Sequence, residues 1–152
     1  MPKEKFKIIP TVYLLLLKNN KILLSRRYNT GFHDGEYSLP AGHLDGNETL
    51  IQALIRESEE EIGIKVDKDS IDLNHIMHRK ESSEERINFF FTAKNWQGEP
   101  KIMEPHKCDD LNWASSDNLP HNTIPYVKQA INYCLNKIIY SEYGFWIYEY
   151  GK

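Results

Sequence analysis

Three glutamates, Glu57, Glu60 and Glu61, stand at spacing i, i+3 and i+4 within GHLDGNETLIQALIRESEEEIGI, residues 42–64. At ~100° of rotation per residue these positions share one face of a helix, so their carboxylates can converge on one cation. Carboxylates are hard oxygen ligands suited to Mg²⁺ or Mn²⁺, ions that keep several waters and bridge to phosphate oxygens. The chemistry such a row supports is metal-assisted attack of water on a phosphoryl group. Taken alone, a run of acids is also the ordinary signature of a solvated helix face, and its surroundings must separate the two readings.

The elements that position the row are readable. Asn47 is a favourable N-cap, Glu48 falls in the first turn against the helix dipole, and Gly63 is a natural residue to end the helix. Ile51, Leu54, Ile55 and Ile62 form an apolar stripe, so one side packs while the next presents carboxylates. Upstream, residues 11–17 and 21–25 are apolar runs separated by Lys18-Asn19-Asn20, which predicts a β-hairpin turning on asparagine. Residues 28–37 have two glycines and no period and read as a loop, followed by a short strand that leads through Pro40 into Gly42. Downstream, residues 64–66, 71–77, 87–93 and 110–114 read as strands, 78–85 as a charged loop, and 125–139 as an amphipathic helix. The aromatic tail, residues 140–150, is either a cap docked over the core or a homodimer contact.

At 152 residues with no internal repeat or linker, the chain is expected to form a single domain, residues 1–152. A formal net charge of -3 calls for neither a nucleic acid polymer nor an anionic membrane as partner. The two cysteines, Cys108 and Cys134, are too few for a disulfide framework and fit a reducing compartment and buried, inert roles. The apolar run at residues 8–17 is interrupted by Pro10 and too short to span a bilayer, so a cytoplasmic location is expected.

In this setting the stretch resembles the Nudix box, GX5EX7REUXEEXGU with U aliphatic. It is matched at Gly42, Glu48, Arg56, Glu57, Glu60, Glu61, Gly63 and Ile64. It departs at Ser58, where the pattern wants an aliphatic residue and a serine can return its hydroxyl to a backbone carbonyl. The resemblance implies an α/β/α sandwich with a mixed sheet, and hydrolysis of a nucleoside diphosphate linked to another moiety. It implies that Glu57, Glu60 and Glu61 are catalytic as ligands of Mg²⁺ or Mn²⁺, that the Gly42 carbonyl adds an oxygen, and that Arg56 orients a carboxylate. Glu48 is either a helix-start residue or catalytic, and Glu104, on a loop well past the box, is the candidate general base.

Substrate contacts are sought outside the box. Arg26 and Arg27 end a strand and suit phosphate, although alternation would face only one of them inward. His33, His43 and His78 are candidates to polarise substrate, and Phe32, Tyr37 and Phe89 to stack on a base. The marks of the ADP-ribose, dinucleoside polyphosphate and coenzyme A subgroups are missing from their usual positions. Elimination leads to a group resembling MutT, which converts nucleoside triphosphates, small-molecule substrates, to monophosphate and pyrophosphate. A hydrolase of nucleotide sugars or other nucleoside diphosphate derivatives, and a nucleotide sensor that does not cleave, are the alternatives.

Overall fold

The computed structural model describes residues 1–145. In chain order the elements are β1 (Ile9–Lys18), β2 (Lys21–Arg27), β3 (Tyr37–Ser38), β4 (Ala41–His43), α1 (Leu50–Ile62) and β5 (Lys65–Val66). They are followed by β6 (Ile71–Glu81), β7 (Glu84–Ala93), β8 (Trp96–Gln97), β9 (Cys108–Ser115), α2 (Pro125–Leu135) and β10 (Tyr140–Tyr143). Asn19 and Asn20 turn the β1–β2 hairpin with φ of 52° and 59°, the left-handed conformation that asparagine tolerates.

β1 and β2 pair only beside that turn, at Leu17↔Ile22 and Lys18↔Lys21. They then part: β1 runs parallel to β7 and antiparallel to β4, while β2 pairs with β3 and β9. The sheet is therefore mixed, ordered β10-β6-β7-β1-β2-β3 with β4 on β1 and β9 on β2. Successive side chains of β1 point to opposite faces. Val12, Leu14 and Leu16 pack with Ala53, Leu54 and Ile62 of α1, and Tyr13 and Leu15 with Val127, Ala130 and Ile131 of α2. With one helix on each face the layers are α/β/α, as the box implied. No helix among the described residues is long and apolar enough to cross a membrane.

Four local expectations are corrected. α1 is capped by Thr49, not Asn47: the Thr49 hydroxyl accepts from the Gln52 N–H at 3.1 Å and the Gln52 side chain accepts from the Thr49 N–H at 2.9 Å. This reciprocal box fixes the start, and Asn47, at φ 56°, shapes the turn before it, so Glu48 precedes the helix instead of lying in its first turn. Residues 78–85 are not a loop, because β6 and β7 continue to a tight turn at Ser82, φ 54°. Their charges have partners there: His78 with Glu85 at 3.0 Å, Arg79 with Glu81, and Arg86 with Glu84.

Helix α2 ends at Leu135, not at 139; Asn136 caps it and Lys137 turns left-handed. Ile138 and Ile139 then feed β10, which lies parallel to β6, is tied to it by the His75 ring through the Ile138 carbonyl and the Ser141 hydroxyl, and packs Tyr143 against the core, so the start of the aromatic tail is docked. The rest of the aromatic tail, residues 146–150, lies outside the described residues.

Candidate active site

Strand β4 and helix α1 meet at Gly42 and Glu57. A Cβ on Gly42 would overlap the Glu57 carboxyl group, so glycine leaves the room in which that carboxylate lies against the strand. Arg56 gathers the acids around it. Its Nε and Nη2 donate to the two oxygens of Glu48 at 3.0 and 2.8 Å, a bidentate pair. Its Nη1 donates to Glu57 at 2.8 Å and to Glu60 at 3.2 Å. The Arg56 hydrogen bonds, with the Asp45 N–H adding a smaller share, hold the Glu48 carboxyl at a pKa of about 2.

The other three acids differ in setting. Burial pushes Glu61 up to about 8, opposed by the Ala41 N–H that donates to it at 3.1 Å and reinforced by the charges of Glu57 and Glu104. Burial also raises Glu57, with Arg56 pulling the other way. Glu60 is the exposed member of the row. Ser58, the departure from the box, is buried and donates to the Leu54 carbonyl at 2.6 Å, so the hydroxyl is satisfied within the helix.

Gly42, Arg56 and the three glutamates of the row line a cleft of about 880 Å³ whose walls come from the diverging β1 and β2. Arg26 and Arg27 both line it: the β2–β9 pairing shifts register between them, and this bulge breaks the alternation that would have turned one away. Arg26 donates to Asp109 at 2.7 Å, and Arg27 donates to the Phe32 carbonyl and the Thr30 hydroxyl at 2.6 and 3.0 Å. Glu104 also lines the cleft, partly exposed and 3.6 Å from the Lys107 ammonium.

Other sequence candidates have different places. His33 is not among the lining residues; its ring bridges Glu36 and Glu81 at 2.8 Å each. Phe89 is not among them either, because it packs on the α1 side of the sheet. Tyr37 is buried and donates to Asp110. His43 lines the cleft, whereas His78 faces Glu85 and the Phe145 ring. Cys108 lines the cleft half-buried, and burial pushes the Cys134 thiol up to about 12.

Two lining arginines escaped the sequence reading, Arg79 and Arg86, which face each other across β6 and β7. The Arg79 guanidinium lies 4.2 Å from the centre of the Tyr126 ring. Reading 78–85 as a loop hid Arg79, and starting the next strand at residue 87 left out Arg86. The signal was there in the period-2 row His75, Met77, Arg79, all buried on one face of β6.

A family model for the NUDIX domain matches residues 7–133. The chain belongs to the Nudix family of hydrolases. Among solved structures, the MutT Nudix hydrolase from Burkholderia pseudomallei superposes with a TM-score of 0.77 at 25% identity, over 84% of this chain and 98% of that one. The MutT protein from Methanosarcina mazei Go1, 19% identical with a TM-score of 0.75 over 88% of this chain and 97% of that one, shows the fold alone. Among curated relatives, the NAD-capped RNA hydrolase NudC of Shigella dysenteriae serotype 1 (strain Sd197) is 29% identical over 118 residues, 78% of this chain and 43% of that protein. The NudC of Pseudomonas aeruginosa (strain LESB58) is 27% identical over 114 residues, 75% of this chain and 38% of that protein. The chain thus spans well under half the length of these curated relatives.

Nudix hydrolases in general depend on a divalent metal. The donors here fit one: three carboxylates on one helix face, two of them raised by burial in a way that a cation would relieve, beside a strand whose glycine leaves its backbone close to them. Among the described residues no three acidic, histidine or cysteine side chains stand already converged as a metal site, since Glu57 and Glu60 both rest on Arg56.

This charge balance gives stability a definite pH dependence in metal-free protein. The folded pKa of Glu61, about 8, exceeds its ordinary 4.5, so between those values the folded chain holds a proton that the unfolded chain has released. The contribution is therefore full below about 4.5 and declines as pH rises toward 8, at roughly 1 kcal/mol per unit. Glu48 acts in the opposite sense, its contribution being lost as pH falls below 4.5 through about 2. Urea unfolding across this range, in chelator, is expected to show the upper decline, and Glu61→Gln to flatten it.

Proposed function

We propose that this Nudix hydrolase cleaves a pyrophosphate bond of a nucleoside triphosphate, giving the nucleoside monophosphate and pyrophosphate, with Mg²⁺ or Mn²⁺ as the cation. One juxtaposition carries the reading: the carboxylates Glu57, Glu60 and Glu61 share a cleft with the arginines Arg26, Arg27, Arg79 and Arg86. Acids that hold a cation and guanidiniums that donate to phosphate oxygens together suit a metal-bound polyphosphate.

In this reading Glu57, Glu60 and Glu61 hold the cation and the Gly42 backbone adds an oxygen. Bound there, the cation supplies neutralisation of phosphate charge and a water of lowered pKa. Arg56, bidentate on Glu48, keeps Glu57 and Glu60 oriented without touching substrate. Glu104 accepts the proton of the attacking water, and Arg26 and Arg27 meet the phosphates. The substrate is a small nucleotide, neither a nucleic acid polymer nor a membrane lipid, residues 1–152 act as one domain, and the place of work is the cytoplasm.

A second reading, a nucleoside diphosphate joined to another group, is favoured by the relatives named NAD-capped RNA hydrolases. A panel of nucleoside triphosphates, nucleotide sugars and dinucleotides, incubated with purified protein and Mg²⁺ or Mn²⁺ and resolved by chromatography, separates the two. The expected products are monophosphate and pyrophosphate from triphosphates, with kcat/KM about tenfold or more above the rest of the panel. Faster cleavage of dinucleotides or sugars establishes the second reading. Binding across the panel without any product would contradict both and leave a sensor.

A further inference from the structure

Helix α1 ends on carbonyls that no N–H of its own can reach. The Gly63 N–H closes back on the Glu59 carbonyl at 3.1 Å, and because the helix stops at Ile62 the carbonyls of Glu61 and Ile62 need donors from elsewhere. One distant segment supplies both: the Met103 N–H donates to the Glu61 carbonyl at 3.2 Å and the Lys101 N–H to the Ile62 carbonyl at 3.0 Å. The next residue in the chain is Glu104. Glu61 thus works twice, its carboxyl group lining the cleft while its main-chain carbonyl holds the loop that brings Glu104 there.

The approach of this loop to the helix end is prepared on both sides. β5, which follows α1 at once, pairs antiparallel with β8 at Lys65↔Gln97 and Val66↔Trp96, so the chain enters the loop beside the last turn of the helix. Gly63, at φ 69°, carries no side chain, and a Cβ built there would stand 3.0 Å from the Met103 Sδ and 3.3 Å from the Lys101 Cε. The side chains of the two donor residues therefore lie over the glycine, in space that any other residue would fill. A Cβ on Gly98 would likewise come 3.2 Å from the Gly63 carbonyl.

Beyond Glu104 the chain is held again. The Glu104 carbonyl accepts from the N–H groups of Lys107 and Cys108 at 2.9 and 3.1 Å, a turn that leads into β9, and the Lys107 carbonyl accepts from the Tyr28 N–H at 2.9 Å. Glu104 sits between these two backbone anchors, lining the cleft, and its charge lies close enough to add to the rise of Glu61.

We propose that residues 101–103 are a positioning clasp, in which the main-chain donors of Lys101 and Met103, seated on the C-terminal carbonyls of α1, set the Glu104 carboxylate within reach of the attacking water. The assignment rests on the hydrolytic reading above, in which Glu104 is the general base, and adds what places it. A base must stand within hydrogen-bond reach of the proton it takes, and a misplacement of about 1 Å can cost on the order of 10²-fold in rate. With the clasp closed, one helix carries the carboxylate row and fixes the base, so the two keep their spacing. Met103 acts here through its N–H and not through its side chain.

Met103→Pro, which removes that N–H, is expected to lower kcat on the order of tenfold or more with KM changed less than about twofold, whereas Met103→Leu, which keeps the N–H, is expected to retain the parent kcat. In a Glu104→Gln background Met103→Pro should add no further loss, because both changes act through one carboxylate. Additive losses, or an unchanged kcat in Met103→Pro, would overturn the proposal. Full activity in Glu104→Gln would overturn it as well, by removing the base, and would leave the hydrolytic reading standing.

Two measurements need no turnover. In the parent protein, hydrogen exchange of the Lys101 and Met103 amides is expected to be slow, and exchange at the rate of unprotected amides would show that the clasp does not hold; this needs no substitution and so does not depend on the folding of a variant. With Mn²⁺ added, the Glu104 amide signal is expected to broaden in the parent and to recover in Met103→Pro while those of residues 57–61 stay broadened. Equal broadening of Glu104 in both proteins would overturn the positioning role. The expected exchange and broadening without hydrolysis of any nucleotide would sink the hydrolytic reading and keep the placement of Glu104.

Discussion

Glu60→Gln is expected to cut metal-supported hydrolysis by about 10³-fold, the scale of removing a preorganised electrostatic group from a phosphoryl-transfer site, while leaving the fold intact. The two effects separate because Glu60 is the exposed member of the row, held by a 3.2 Å hydrogen bond from Arg56. An ion pair of that kind contributes about 0 to 1 kcal/mol to stability, so melting should shift by only a few degrees. Glutamine keeps the shape and an acceptor oxygen but loses the charge that a divalent cation needs. Initial rates and a thermal melt on the same preparation make the test. Unimpaired turnover would remove Glu60 from the metal set, and a collapsed melt would mean that its role had been structural.

The second large effect is expected from a single methyl group. In Gly42→Ala the new Cβ meets the Cγ, Cδ and Oε1 of Glu57. Those atoms are the far end of a flexible side chain, so the clash is relieved by swinging the carboxylate away at a cost of about 1 kcal/mol, toward the low end of overpacking. Activity pays no such small penalty, because the displaced carboxylate is a proposed ligand, and a loss of about 10²-fold in kcat/KM is expected. A double-mutant cycle isolates the cause. In a Glu57→Gln background Gly42→Ala should add little, since both changes act through the same carboxylate. Additive losses would show that Gly42 acts independently of Glu57.

The parts of this protein that were legible in the sequence are those fixed by local geometry. Spacing of i, i+3 and i+4 needs only a helix to bring Glu57, Glu60 and Glu61 to one face, and two asparagines suffice to turn β1 into β2. What escaped was decided by distant partners. Residues 78–85 look like a loop because charges crowd them, yet His78 pairs with Glu85 across the β6–β7 ladder, Arg79 with Glu81 along β6 and Glu84 with Arg86 along β7, and with that ladder Arg79 and Arg86 arrive in the cleft. Alternation along β2 failed at Arg26 and Arg27 because β9, over eighty residues later, pairs with a bulge.

The same logic sorts the aromatic candidates. Phe89 and Phe32 are equally good stacking residues by type, but Phe89 belongs to a strand whose face is covered by α1, and Phe32 to a loop pinned by Asp34. Competition between neighbours produced the remaining error. Asn47 and Thr49 are both favoured caps, and Gln52, three residues after Thr49, decides for the latter by completing the reciprocal pair.

The central claim is that the carboxylate face of α1, beside Gly42, holds the divalent cation. Substoichiometric Mn²⁺ added to isotope-labelled protein tests it most directly, through paramagnetic broadening of backbone amide signals. The signals of residues 41, 42 and 57–61 are predicted to vanish first, and Glu57→Gln or Glu61→Gln to weaken the effect there. First broadening elsewhere, such as around Glu81 and Glu84, or no localised broadening at all, would contradict the account.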